Sequence, residues 1–227
     1  MKKVIVFTGA GISAESGIKT FRDNDGLWES YNIEEVATPE AWIKNPKLVL
    51  KFYNERRKQV LDTKPNKGHF ELVKLEDKFN VQIITQNIDD LHERAGSKNI
   101  LHLHGEILKS RSTFNNSIYN VEGAKLNFGD LCENKSQLRP DIVWFGEAVP
   151  NMIKAEKLCK DAEILIIIGT SLSVYPAANI LDFVPSNCKK YIIDPNKSTL
   201  FNNQNVTLIQ KKASIGIPIL ANILSEK

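Results

Sequence analysis

The sequence predicts an α/β fold in which helices cover both faces of a parallel sheet, and three observations carry that prediction. Short Val- and Ile-rich runs alternate with helix-like stretches. The first run passes directly into a glycine turn. Polar residues gather just after the apolar runs, as they do at the ligand-facing edge of a parallel sheet.

Runs 3–8 (KVIVFT), 81–85, 164–169 and 191–194 have the near-continuous apolar character of strands buried on both faces, and 206–209 supplies a fifth. Stretches 67–75 and 152–160 read as helices. So does 46–61, with Leu48, Val49, Phe52 and Tyr53 as its apolar residues. Two excursions break the alternation. One fills the interval between the first glycine turn and the second strand. The other, 106–143, is polar, with weak periodicity and no evident core strand. Both read as insertions that meet in space as a small second domain. Residues 1–27, 76–104 and 146–227 are assigned to the sheet domain. Residues 28–75 and 105–145 are assigned to the small domain, as a helical insert plus a loop module. The crevice between the strands' carboxyl ends and such an insert is where a ligand binds.

With 227 residues the chain can bury a sizeable core. A net charge of +3 without a long Lys/Arg run argues against dedicated nucleic-acid binding. Cys132, Cys159 and Cys188 are widely spaced and odd in number, so no disulfide framework is expected. The most apolar run, 164–168, is far too short to span a bilayer, and the first residues lack the pattern of a signal peptide. The expectation is a cytoplasmic protein with no membrane partner. Its oligomeric state is left open, and a monomer is compatible with the sequence.

Gly9-Ala10-Gly11-Ile12-Ser13-Ala14 is a G-x-G-x-x-A turn. Gly9 allows the tight turn, Gly11 has no Cβ to block a pyrophosphate, and Ala14 lets the helix pack on the strand. Helix amides then face the anion. The turn continues into Glu15-Ser16-Gly17-Ile18-Lys19-Thr20-Phe21-Arg22, which packing alone does not explain. The second strand runs into Thr85-Gln86-Asn87-Ile88-Asp89-Asp90-Leu91-His92, and Leu101-His102-Leu103-His104-Gly105 follows. The third strand ends in Gly169-Thr170-Ser171 and the fourth in Asp194-Pro195-Asn196. Any one of these groups could simply meet water or cap a helix. Together, opposite a glycine turn, they point to a ligand. The usual dinucleotide pattern places an acid about 20 residues after the glycines. The first insertion breaks that spacing, although Asp194 could still bind a ribose. Ordinary hydride transfer is disfavoured.

These motifs, together with Val143-Trp144-Phe145-Gly146-Glu147, resemble the sirtuins, which are NAD-dependent protein lysine deacylases, and they do so in order over residues 4–196. The resemblance implies a Rossmann-like domain plus a small domain made of two insertions. It implies NAD as co-substrate and acylated lysines of proteins as partners, with release of nicotinamide and O-acyl-ADP-ribose. In that chemistry the acyl oxygen attacks the ribose carbon bearing nicotinamide, and a histidine then acts as general base on a ribose hydroxyl. That histidine falls on His104, whose imidazole titrates in a suitable range. His69, His92 and His102 are expected to be structural. Asn87 and Asp89 match residues that hold the ribose and a water, and both join His104 in the catalytic set. Gln86 matches a contact to the nicotinamide ribose. Phe21 would shield the reactive face and Arg22 would line the loop over the cofactor. Gly9, Ala10, Gly11, Gly169, Ser171 and Asn196 would carry the phosphates and the adenosine ribose. Glu15, Thr20, Ile88, Thr170, Asp194 and Ala213 complete the implied cofactor set. Val143, Phe145 and Gly146 match the segment that takes a substrate peptide by strand addition. Tyr53 and Arg56 share a helix face and resemble the pair of the branch that removes succinyl and malonyl groups, where Arg and Tyr bind the acyl carboxylate.

The chain departs from the family in places. Many sirtuins hold a structural zinc with two cysteine pairs between the H-G and W-F-G-E motifs. Here that interval contains only Cys132, with Ser112 where the first ligand would be and Arg111, Asn115 and Asn116 nearby, so no zinc is expected. Lys19 replaces a proline usual before the T-F-R segment. Cys159 and Cys188 are expected to pack as small apolar residues. Two other readings stand beside the deacylase: an NAD glycohydrolase or ADP-ribosyltransferase, and a non-catalytic module that binds NAD or ADP-ribose.

Overall fold

A computed structural model describes residues 1–18, 31–172, 175–196 and 206–225. Strand β1 (Lys3–Thr8) is buried from Val4 onward and turns at Gly9 into the short helix α1 (Ala10–Ala14). Helices α2 (Ile33–Val36), α3 (Pro39–Lys44) and α4 (Pro46–Asp62) follow. Each starts where a polar side chain can accept an otherwise orphaned amide: Asn32 from Glu34, Thr38 from Ala41, Asn45 from Leu48. Pro39 and Pro46 stand at the helix starts, where a missing N–H costs nothing. Helix α5 (Lys67–Leu75) begins with a reciprocal Asn66–His69 capping box. Then come β2 (Asn80–Thr85), α6 (Leu91–Ala95) and β3 (Ile100–His102). The second insertion contains β4 (Gly105–Ser112), β5 (Ile118–Asn120) and β6 (Leu138–Ile142). Helix α7 (Met152–Cys159), β7 (Ile164–Ile168), a 3₁₀ segment (Ala177–Asp182), β8 (Lys189–Ile193), β9 (Val206–Ile209) and α8 (Ala213–Ser225) complete the chain.

The main sheet has the order β3-β2-β1-β7-β8-β9, and every neighbouring pair is parallel. This is the doubly wound order of a Rossmann-like fold, and it reverses between β1 and β7. Alternate residues feed the two faces. Val4 and Val6 pack with Leu72 and Leu75 of α5 and Ile217 and Leu220 of α8. Ile5 and Phe7 pack on the other face with Ala155 and Cys159 of α7 and Ile180 of the 3₁₀ segment. Helix α5, which the sequence reading places at the end of the first insertion, thus contributes to the core of the sheet. A third cluster joins α4 to the second insertion through Val49, Phe52, Tyr53, Ile107, Ile142 and Trp144.

The stretch 106–143 differs from expectation, because it carries the antiparallel sheet β5-β4-β6. Two features hide it in the sequence. Its inward positions include Ser110, Ser112 and Asp141, which are buried but polar. A register shift between Glu106 and Ser110 also breaks the two-residue period. Gly105, at the start of β4, has φ +81°, and a Cβ there would meet the Asp141 carbonyl oxygen at 1.9 Å. The close β4–β6 approach therefore requires glycine directly after His104. Around Cys132 the loop is held by polar contacts. The Cys132 thiol lies 3.4 Å from Ser112 Oγ, and Gln137 Nε2 donates to the carbonyls of Asn127, Asp130 and Leu138.

Candidate active site

The reversal of strand order brings the loops after β1 and β7 together. Gly9 N donates to the Ile168 carbonyl at 3.0 Å, and Gly11 N donates to the Gly169 carbonyl at 2.9 Å. A Cβ on Gly11 would lie 2.6 Å from Gly169 Cα, and one on Gly169 would lie 2.6 Å from Ile12 N. The structure adds a second reason for glycine at position 11. The backbone of the neighbouring loop demands it before any pyrophosphate arrives. The amides of Gly11 and Ile12 are already donated, to Gly169 and Gly9, and so do not face an anion.

Above these loops lies a cleft of about 710 Å³, within the range of small-ligand sites. From the sheet side it is lined by Gly9, Ala10, Gly11, Glu15, Gln86, Asn87, Ile88, Asp89, His104, Gly169, Thr170, Ser171, Asp194, Asn196 and Ala213. From helix α4 and the segment after β6 come Tyr53, Arg56, Val143, Phe145 and Gly146. The structure thus brings together every site residue expected from the sequence except Thr20, Phe21 and Arg22, which lie outside the described residues.

A buried polar network forms the cleft floor. Asn87 Nδ2 donates to the Gly9 carbonyl and to Ser13 Oγ, both at 3.1 Å. Ser13 Oγ donates to Asp89 Oδ2 at 2.9 Å, and Leu91 N donates to Asp89 Oδ1 at 3.1 Å. Burial raises the Asp89 pKa above its ordinary value, and the bonds from Ser13 and Leu91 oppose the rise. Glu15 accepts from Ser214 N at 3.1 Å and from the Ser214 hydroxyl, which ties α1 to the start of α8. Gln86 Nε2 donates to Thr170 Oγ1 at 3.0 Å, across the switch point.

His104 Nδ1 lies 3.0 Å from the Gln86 carbonyl. A carbonyl only accepts, so Nδ1 carries the hydrogen and Nε2 keeps the basic lone pair. Burial lowers the His104 pKa, and the bond to Gln86 only partly offsets this. His102 is the opposite case. Its Nδ1 meets the Asn87 carbonyl at 2.9 Å and its Nε2 meets Glu93 Oε1 at 2.7 Å. Burial is the largest influence and would lower its pKa, but the Glu93 carboxylate, the Asn87 carbonyl and Glu106 together raise it. Glu93, His102 and Glu106 bring ligand-type atoms within 4.8 Å of one another. These groups already pair, His102 with Glu93 and Glu106 with Lys109 at 2.7 Å.

On the small-domain side, Tyr53 and Arg56 are 3% and 7% exposed, although Tyr-Arg pairs on helices are commonly half solvated. Burial raises the Tyr53 pKa, so the phenol keeps its proton, and burial lowers that of Arg56. Trp144 Nε1 donates to Tyr53 Oη at 3.1 Å. Val143 N donates to the His104 carbonyl at 2.9 Å and Phe145 N to the Ala37 carbonyl at 3.0 Å. A strand added here would therefore have to meet the carbonyls of this segment.

Residues 9–176 match the model of the Sir2 family. The chain belongs to the Sir2 family. An NAD-dependent protein deacylase of Helicobacter pylori is 56% identical over 214 residues, 94% of this chain and 93% of the relative. One from Bacteroides thetaiotaomicron is 50% identical over 230 residues, 99% of this chain and 98% of the relative. Among solved structures, a Sir2 homologue–NAD complex is similar with a TM-score of 0.90 and 39% identity, covering 99% of this chain and 90% of that one. A Sir2 homologue–ADP-ribose complex gives a TM-score of 0.89 and 39% identity, covering 100% and 94%.

Within this Sir2 chain the cleft suits a dinucleotide. Side-chain Cβ atoms are absent where the loops of β1 and β7 meet, and buried Asn87 and Asp89 face a cavity large enough for a ligand. Sequence reasoning missed several participants. Ser13 joins Asn87 to Asp89, and its position inside the glycine motif was the available signal. Trp144 contacts Tyr53, and nothing in the spacing of residues 53 and 144 announces that contact. No described helix is long and apolar enough to cross a membrane.

Proposed function

We propose that this NAD-dependent protein deacylase removes malonyl and succinyl groups as well as acetyl groups from lysine side chains. One observation carries the reading. The Tyr53 hydroxyl and the Arg56 guanidinium, both buried, line the cleft that also holds His104. An apolar acyl end makes no use of a guanidinium or a phenol. An acyl carboxylate does, because a guanidinium offers it paired donors and the phenol adds another.

NAD supplies a glycosidic bond whose cleavage releases nicotinamide. His104 Nε2 accepts a proton from a ribose hydroxyl while Nδ1–H stays on the Gln86 carbonyl. Asn87 and Asp89, cross-linked by Ser13, hold the ribose and a water. The glycine loops, with Gln86, Thr170, Ser171, Asp194 and Asn196, take the rest of the cofactor, and Val143, Phe145 and Gly146 take the peptide. The three buried free cysteines support a reducing, cytoplasmic setting. A binding-only module would not need a histidine with its tautomer fixed in this way, which favours turnover.

The test is to incubate the protein with NAD and one peptide carrying acetyl-, malonyl- or succinyl-lysine, following nicotinamide and peptide mass. Nicotinamide should appear only with acyl peptide, in step with loss of each of the three acyl masses. Nicotinamide release without peptide would make the protein a glycohydrolase. Loss of acetyl alone would overturn the acidic-acyl reading.

A further inference from the structure

We infer that Trp144 is a positioning residue for acyl-group selection, aiming the Tyr53 hydroxyl proton at the acyl end of the substrate. The inference rests on the reading of Tyr53 and Arg56 as the acyl-carboxylate pair. A phenol oxygen donates one hydrogen and accepts through its lone pairs, whereas an indole N–H and a guanidinium only donate. Trp144 Nε1–H occupies a lone pair of Tyr53 Oη at 3.1 Å, with both residues almost fully buried. The hydroxyl hydrogen therefore cannot point at Trp144. It cannot point at Arg56 either, since that neighbour is a cation. With the indole on one side of the oxygen the hydrogen turns to the other, and Tyr53 lines the cleft, where a carboxylate oxygen would accept it.

The indole is held firmly enough for this task. The Arg139 guanidinium stacks 3.6 Å from the Trp144 ring centroid. Glu147 grips Arg139 through both oxygens, at 2.8 and 2.9 Å, and accepts from Trp144 N at 2.8 Å. Trp42 packs against the same ring at 5.8 Å. An acetyl group presents only a methyl at its end, so the aimed hydroxyl gives it no hydrogen bond. The effect of Trp144 on rate should thus depend on the acyl group and should require the Tyr53 hydroxyl.

A double-mutant cycle tests this on the full chain with NAD and one peptide, acetylated or succinylated. Wild type, Trp144→Phe, Tyr53→Phe and the double variant are compared, and acetyl-peptide turnover of each protein is the reference for folding and peptide binding. Trp144→Phe should lower the succinyl-to-acetyl ratio of kcat/KM by about tenfold, as expected for one misdirected hydrogen bond to a charged group. Most of the loss should lie in the KM for the succinyl peptide. In the Tyr53→Phe background the same change should leave the ratio where Tyr53→Phe alone puts it. An unchanged ratio in Trp144→Phe, or a further fall in the Tyr53→Phe background, would overturn the role of Trp144. If Tyr53→Phe still lowers the ratio in that case, the acyl-pair reading survives. If wild type removes no succinyl group, that reading fails and takes the inference with it.

Discussion

His102 and His104 stand two positions apart, yet their surroundings move their pKa values in opposite directions. His104 is buried and bonded at Nδ1 to a carbonyl, so it is neutral and basic at Nε2. His102 is buried against the Glu93 carboxylate, which favours its protonated form. Only the first can act as a general base near neutrality. His104→Ala should therefore lower kcat for deacylation by about 10²- to 10⁴-fold while leaving NAD affinity within a few-fold, measured by nicotinamide release and by calorimetry. The pH profile follows from the same surroundings. The base works when neutral and its pKa lies below the ordinary 6.5. Activity should therefore be full above 6.5 and should fall as pH drops through a lower apparent value in kcat/KM. An acid limb centred above 6.5 would contradict the assignment. At this scale the sequence identified His104 through its motif. The charge state of His102 was hidden, because it depends on Glu93 being folded back onto it.

Helix α4 shows how adjacent arginines are given different tasks. Arg56 turns with Tyr53 to the cleft. Arg57 is fully buried against the small sheet, where Nε donates to the Ile107 carbonyl at 2.7 Å and Nη1 donates to Asn54 Oδ1 and the Ala124 carbonyl. Burial lowers its pKa to about 10, which still leaves it charged at neutral pH. Arg57→Met removes these three donations, leaving Asn54 Oδ1 only its bond from Leu126 N, and should destabilise the fold by about 2–4 kcal/mol, read as a lower urea midpoint. A change within 0.5 kcal/mol would show that Arg57 does not tie α4 to β4, surface substitutions typically falling within about that range. The helix itself was readable in the sequence, because Asn45, Pro46 and an apolar face announce it. Strands β4 and β6 were not, because buried Ser110, Ser112 and Asp141 and a shifted register mask the alternation that marks a strand.

For the whole molecule, the parallel sheet explains why a site could be read from scattered motifs. Its strands end on one edge, so Gly9, Gln86 and Gly169 meet although far apart in sequence. Long-range contacts between side chains, such as Ser13–Asp89 and Trp144–Tyr53, carry no comparable local signal. Beneath the site His69 and His92 stack edge to face at 5.0 Å, and each has one ring nitrogen buried without a partner. Burial holds the His69 pKa down to about 4 and depresses that of His92. Below the ordinary 6.5 the unfolded chain binds protons that this folded pair refuses, so the share of stability that rests on His69 and His92 should be full above 6.5 and decline towards about 4, against the opposite contribution of His102. Urea midpoints at pH 7 and pH 5 test this. The fall between the two pH values should be smaller in His69→Gln, and an equal fall in both proteins would mean that His69 is not buried in its neutral form.

In the proposed function the cleft that takes NAD also reads an acyl carboxylate through Arg56. The most direct measurement is the ratio of kcat/KM for succinyl- and acetyl-lysine forms of one peptide, in wild type and in Arg56→Met. The variant should lose succinyl activity by about a hundredfold, as removal of a buried charge-assisted pair should cause, with a much smaller loss on acetyl. Equal losses on both peptides would contradict it.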